Sequence, residues 1–170
     1  MANKDKYSGK AENMEQVIVL FYDQIYKFCY WKTHSAVDAQ DITQDAFIRF
    51  MNAAQTYSDI ENPRALLYTI AHRLCLNWLK KSPPDSLDEL NLNHPPAIED
   101  FANHSVQKIY LSTAVGALPD EQQEILLLRY GQDLQRGEIA EILGLSRFQV
   151  MYRIRNAFHQ LKKLLKEESP

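Results

Sequence analysis

Residues 137–157, Gly-Glu-Ile-Ala-Glu-Ile-Leu-Gly-Leu-Ser-Arg-Phe-Gln-Val-Met-Tyr-Arg-Ile-Arg-Asn-Ala, constrain the architecture of this chain more than any other stretch. They read as a short helix, a Gly-containing turn and a longer basic helix. That is the helix-turn-helix layout, in which a small core holds the second helix out so that it can enter a DNA groove. Ile139, Ala140, Ile142 and Leu143 give the first helix one apolar face. Gly144 suits the left-handed position that ends it, and Ser146 is a natural N-cap for the next helix. From Ile142 to Lys166 there is no Asp or Glu, whereas Arg147, Arg153, Arg155, Lys162, Lys163 and Lys166 are basic. The pattern implies a protein that reads duplex DNA.

A length of 170 residues leaves room for one medium domain or two small ones. With 45% hydrophobic and 24% charged residues the composition is that of a soluble globular protein. The polar N-terminus, Met-Ala-Asn-Lys-Asp-Lys, lacks the apolar core of a signal peptide, and no apolar run is long enough to span a membrane, so a cytoplasmic location is expected. Cys29 and Cys75 have no second Cys or His at metal-ligand spacing and read as two buried thiols in a reducing compartment. The five histidines are scattered, and no Gly-rich phosphate loop occurs. No metal site, cofactor site, catalytic residue or small-molecule substrate is therefore expected.

The net charge of −3 is distributed in blocks. Residues 38–61 carry Asp38, Asp41, Asp45, Asp59 and Glu61 against Arg49 alone. Residues 62–84 carry Arg64, Arg73, Lys80 and Lys81 with no acid, and residues 85–104 are acidic with no Lys or Arg. The last helix is basic again. Such alternation fits two DNA-facing surfaces and a separate acidic surface for a basic protein partner.

Periodicity is helical almost throughout, with no strand pattern, and predicts an all-α fold. A helix over about 12–32 would turn Val17, Leu20, Phe21, Ile25, Phe28 and Cys29 to one side. A second, about 36–55, would bury Ala39, Ile42, Ala46, Phe47 and Phe50. A third, about 63–81 after Asn62-Pro63, carries Leu66, Leu67, Ile70, Leu74 and Trp78. The segment 82–104 has two Pro pairs, several Asn and Asp and weak periodicity, and reads as a linker. Helices at about 105–117, 119–130, 134–143 and 146–166 follow, with Pro119 in a first turn and Gly131 ending its helix. The expected organisation is thus two small helical domains, 12–81 and 105–168, joined by a Pro-rich linker at 82–104.

On a helical wheel Val150, Ile154, Ala157, Phe158, Leu161 and Leu165 fall on the buried side of the last helix. The opposite side presents Gln149, Tyr152, Asn156, His159 and Lys163, flanked by Arg153 and Arg155. Gln and Asn can pair with an adenine edge and Arg with guanine or a phosphate. Gln149 and Tyr152 are expected at base edges, and Arg153 and Arg155 on the backbone. Ser146 and Gln149 also have the spacing of a capping box, a second use for Gln149.

Four motifs, in order, carry a family resemblance: Asp38-Ala-Gln-Asp-Ile-Thr-Gln-Asp-Ala-Phe-Ile-Arg-Phe50, Asn62-Pro-Arg-Ala-Leu-Leu-Tyr-Thr-Ile-Ala-His-Arg73, Leu118-Pro-Asp-Glu-Gln-Gln-Glu-Ile-Leu-Leu-Leu-Arg-Tyr130 and the helix-turn-helix. The first resembles the acidic "DAEDLVQEVFLRLW" helix, and the second the "FRAWLYRIARN" helix, of bacterial sigma factors of the extracytoplasmic function (ECF) group. The similarity spans roughly 14–81 and 105–166, which correspond to sigma regions 2 and 4. The resemblance implies a promoter-recognition subunit that joins core RNA polymerase and starts transcription.

It implies docking of the second helix on the β′ clamp coiled coil through Asp38, Asp41, Gln44 and Asp45. It implies capture of the −10 element around the third helix, with Tyr57 and Tyr68 as stacking faces and Arg64, Arg73, Lys80 and Lys81 on the strand backbone. The second domain would read the −35 element through Arg136, Arg147, Gln149, Tyr152, Arg153, Arg155 and Asn156, and touch the β flap. Many relatives are held by an anti-sigma factor, which the resemblance adds as a candidate partner. The chain departs from the family pattern at Leu66, Arg73 and Asn77, where Trp, Asn and Asp are usual. In the recognition helix the common "T-V-K-S-R" reads Gln149-Val-Met-Tyr-Arg153. The competing reading is a dimeric helix-turn-helix regulator that never joins the polymerase; such a protein has no need of the acidic helix at 38–50.

Overall fold

The computed structural model describes residues 12–57, 60–81 and 106–167, together with the side chains of 14–57, 60–81 and 111–167. The expected linker at 82–104, Asp59 and the extreme termini lie outside the described residues. Every regular element among the described residues is helical. Two compact units form, each with its own core.

In the first unit α1 (Glu12–Thr33), α2 (Ala36–Thr56) and α3 (Pro63–Lys81) pack pairwise into a bundle. The α1–α2 turn is closed by local polar bonds. The Thr33 hydroxyl donates to the Cys29 carbonyl (2.9 Å), His34 takes a left-handed φ of 53°, and the Ser35 hydroxyl accepts from the Asp38 N–H (3.3 Å). Asn62 caps α3 by accepting from the Ala65 N–H at 3.0 Å, and Pro63 fills a first-turn position that needs no N–H.

Phe21, Ile25, Phe28, Ala39, Ala46, Phe47, Phe50, Leu67 and Tyr68 form the core. Phe28 meets the Tyr68 ring edge-on at 5.7 Å, and Tyr22 stacks on Phe47 at 5.5 Å. Cys29 and Cys75, distant in sequence, are both buried free thiols of this core. Hydrogen bonding with Cys75 lowers the Cys29 thiol pKa from its ordinary value; burial opposes this, and Thr43 adds to the lowering.

Two inward faces differ from expectation. Leu20 is 51% exposed, because Val17, Phe21, Ile25 and Phe28 already form the stripe and Leu20 lies off its edge. In α3, Leu66, Ile70, Leu74 and Trp78 are only half-buried. The buried stripe is instead Pro63, Ala65, Leu67, Tyr68, Ala71, His72 and Cys75. The small side chains of Ala65, Ala71 and Cys75 suit a close approach of the α3 backbone, and the Tyr68 ring fills the space between helices.

The second unit comprises α4 (Val106–Gly116), α5 (Asp120–Leu126), α6 (Arg136–Leu143) and α7 (Arg147–Glu167). Pro119 sits at the N-cap of α5 rather than inside its first turn, and Asp120 and Glu121 follow at the positive end of the dipole. The expected helix over 119–130 stops being α-helical at Leu126 and widens into a π-turn, Leu127–Gly131, closed by the Gln132 N–H on the Leu127 carbonyl (2.9 Å). Four successive buried apolar residues, Ile125 to Leu128, sweep most of the way round the axis, so the helix is enclosed at this level, while Tyr130 just beyond is exposed. The left-handed residue after it is Asp133 (φ 50°), not Gly131.

α6 starts at Arg136, two residues later than expected, because Gln135 caps it: the Gln135 N–H donates to Glu138 Oε2 at 2.7 Å. Gly144 (φ 64°) ends α6, and the Leu145 N–H reaches back to the Ala140 carbonyl at 2.9 Å. Ser146 then opens α7, which packs on α4, α5 and α6 through Val150, Ile154, Ala157 and Leu161.

Candidate nucleic-acid and polymerase interfaces

α7 is set by its cap. The Ser146 hydroxyl accepts from the Gln149 N–H (3.1 Å), and the Ser146 N–H donates to Gln149 Oε1 (2.9 Å), a complete capping box. Gln149, expected at a base edge, therefore has its amide oxygen engaged by the backbone. At about 100° per residue, Phe148, Tyr152, Arg155 and His159 lie opposite the buried stripe, with Asn156 beside them. All five are exposed, Phe148 by 71% and Tyr152 by 58%. Arg153 leans to the side and reaches Glu121 Oε2 at 3.4 Å, an exposed pair that tethers α7 to the start of α5. Such pairs contribute little and exchange readily.

Arg147 has a more specific seat. A methyl at Gly137 would stand 3.1 Å from Arg147 Nη2 and 3.3 Å from Nε, so the guanidinium lies against the bare backbone of the first turn of α6. Arg136, exposed, opens that same turn. Two arginines thus flank the N-terminal turns of α6 and α7, whose N–H groups point the same sign of charge outward. Sequence reasoning overlooked Gly137 as a seat and Phe148 altogether; the wheel that found the outward face began after Phe148.

In the first unit Asp41 and Gln44 are exposed, while Asp38 and Asp45 are half-buried. Asp45 is held by Arg49 Nε at 3.0 Å, which neutralises part of its charge. Val37 and Ile48 are both exposed and share the face of Asp41 and Gln44 at helical spacing. The face is therefore acidic with an apolar residue at each end, a mixture that the charge pattern alone did not disclose.

The residues expected at a separated strand divide. Arg73, Lys80 and Lys81 are exposed, and Arg73 and Lys80 share an outward face of α3 with Asn77. Arg64, half-buried, falls on the other side of the helix. Tyr57 follows α2 directly, its N–H on the Ala53 carbonyl (2.9 Å), and exposes 66% of its surface. Tyr68 corrects the expectation of a stacking face: it has no exposed surface, and its ring is packed on Phe28 in the centre of the bundle. A base could reach it only by displacing the core.

Among the described residues no group of three His, Cys, Asp or Glu converges as a metal site would, and no helix is long and apolar enough to cross a membrane.

Known proteins share this arrangement. Residues 17–82 match the Sigma-70 region 2 family model, and residues 114–163 match that of Sigma-70, region 4. The chain is 29% identical over 158 residues to the RNA polymerase sigma factor YlaC of Bacillus subtilis, covering 89% of this chain and 91% of that protein. It is 33% identical over 120 residues to the ferric citrate uptake sigma factor FecI of Escherichia coli, covering 68% and 69%. Among solved structures, the sigma factor RpoE of Bartonella quintana, crystallised with the anti-sigma factor NepR, has the same fold: TM-score 0.67 and 19% identity, over 94% of this chain and all of that one. The reading as a dimeric regulator is not favoured by these likenesses. Two region models in their proper order, and relatives matched along most of their length, establish that the chain belongs to the sigma-70 family of RNA polymerase sigma factors, in its extracytoplasmic function group.

Proposed function

We propose that this protein joins core RNA polymerase through α2 and directs it to promoters by holding the −10 element with the first unit and the −35 element with the second. The observation that carries this reading is the pairing, in one chain, of an acidic α2 face with an exposed basic recognition helix in a separately cored unit. Asp41 and Gln44, with Val37 and Ile48 at the ends, meet a basic coiled coil of the β′ clamp: the carboxylates steer encounter and the apolar ends add buried area. Asp38 and Asp45 support the same face from its margin.

At the −10 element Tyr57 offers a stacking platform, and Arg73, Lys80 and Lys81 line the strand backbone. Arg64 contributes from the N-terminal end of α3. Extruding a base from the stack costs a few kcal/mol, so platform and phosphate contacts must act together. At the −35 element Arg136 and Arg147 clamp phosphates beside the helix N-termini, while Tyr152, Arg155 and Asn156 face the base edges. The same unit touches the β flap. The protein works by binding alone, in the cytoplasm, without catalytic residues or cofactor, and an anti-sigma factor is a candidate inhibitor.

The test is gel filtration with bacterial core polymerase. Wild-type protein is expected to co-elute and Asp41→Lys to elute alone while retaining its helical circular dichroism. Co-elution of both would remove α2 as the anchor. Failure of both, with dimeric DNA binding by the free protein, would sink the sigma reading.

A further inference from the structure

We propose that Phe148 and Tyr152 form an apolar step at the start of the recognition helix that reads thymine methyl groups in the −35 duplex; the inference rests on the assignment of the second unit to that element. Phe148 is the second residue of α7 and exposes 71% of its surface; Tyr152, one turn on, exposes 58%. Single exposed apolar residues are ordinary, but this pair lies together on the face opposite the packed stripe of Val150, Ile154, Ala157 and Leu161. The surroundings choose the occupant. Arg136, Arg147 and Arg155 are exposed nearby in the sequence of the same two helices, and α7 carries no acid before Glu167. Such a surface repels a basic protein and attracts a nucleic-acid backbone.

Once the helix lies in the major groove, its N-terminal residues are those that meet base edges. Almost every group on those edges is a hydrogen-bond donor or acceptor, and covering one with a phenyl ring would leave it unsatisfied. The thymine C5-methyl is the apolar exception. Phe148 therefore favours thymine over cytosine, whose amino group it would bury. Tyr152 is placed to do the same with its ring while its hydroxyl stays in water or on a phosphate. Four residues of helix advance about 6 Å, close to two base steps of about 3.4 Å, so the selected thymines fall within two or three neighbouring steps. The capping role of Gln149 strengthens the case: with its amide oxygen on the Ser146 N–H, the polar residue between Phe148 and Val150 serves the helix itself.

The experiment uses the holoenzyme formed from this chain and bacterial core polymerase. A duplex is selected by the wild-type holoenzyme from a pool randomised across the −35 region, then resynthesised with deoxyuridine replacing thymidine one position at a time. Deoxyuridine removes only the methyl group. Wild-type affinity is expected to fall about fourfold at one or two positions, the worth of one buried methyl. Phe148→Ala should bind thymidine and deoxyuridine duplexes alike, Phe148→Leu should retain most of the difference, and both should still co-elute with core. Indifference of the wild type to every replacement, or the same sensitivity in Phe148→Ala, overturns the proposal. If the wild type binds core and selects no −35 sequence at all, the assignment of the second unit fails, and the inference falls with it.

Discussion

Gly137 is the residue whose smallness has the clearest consequence. A methyl there would press on the guanidinium of Arg147 at 3.1 Å, and the far end of a flexible side chain can move aside at little cost. Alanine also restrains the unfolded chain and suits a helix better, by roughly 0.5 kcal/mol. Gly137→Ala is therefore expected to leave the denaturation midpoint level or slightly raised while weakening −35 duplex binding, read by fluorescence anisotropy. Lost stability and lost binding together would count against the seat. Tyr68 predicts the opposite combination. Removing a fully buried ring from beside Phe28 costs about 3–5 kcal/mol, so Tyr68→Ala should lose the cooperative unfolding of the first unit. Tyr57→Ala should keep that transition and lose only promoter opening, followed by permanganate reactivity of unpaired thymines. Periodicity places Tyr57 just after the second helix and Tyr68 inside the third, but it does not show that Tyr68 turns inward on a stripe of small residues, which tertiary packing sets.

Helix limits were legible where the stop and start signals are local and chemical. Asn62 and Ser146 cap, and Gly144 turns, as their residue types dictate, and the starts of α2, α3 and α7 fall within a residue of expectation. The rotation of α3 was not legible, because a wheel weighted by large apolar residues points to Leu66, Ile70 and Trp78. The helix packs instead through Ala65, Ala71, His72 and Cys75, which such a wheel undervalues. The π-turn at Leu127–Gly131 escaped for a related reason: four apolar residues in a row carry no period. Gln149 sits where a local signal and a functional one compete. With both halves of the capping box made, Gln149→Ala should lower stability by about 1 kcal/mol. Base preference at the −35 element should stay as it is when the same randomised duplex pool is reselected. An altered preference would return Gln149 to the base-reading set.

A net charge of −3 would forecast weak attraction to DNA if charge acted as a sum. At physiological salt, however, fields decay within about 8 Å, so a bound partner meets the local charge, acidic on the α2 face and basic at the arginines of the α6–α7 junction. Sequence blocks exposed these local signs, since charge order along the chain survives folding into helices; they did not expose which members face outward, as Asp45 on Arg49 and Arg153 on Glu121 demonstrate. Each phosphate neutralised on duplex DNA contributes about 0.9 to the slope of log affinity against log salt. If Arg147 holds a phosphate as proposed, Arg147→Ala is expected to reduce that slope by about one for every −35 sequence tested. Arg153→Ala should change it by less, since Arg153 lies to the side of the outward face of α7. Asp41→Lys, on the other unit, should leave the slope alone while abolishing assembly with core polymerase. Salt titrations of duplex affinity with these three variants test the independence of the two surfaces directly. A slope that moved with Asp41→Lys would mean that the acidic face and the DNA-reading face share one electrostatic field, and the division of labour between them would have to be abandoned.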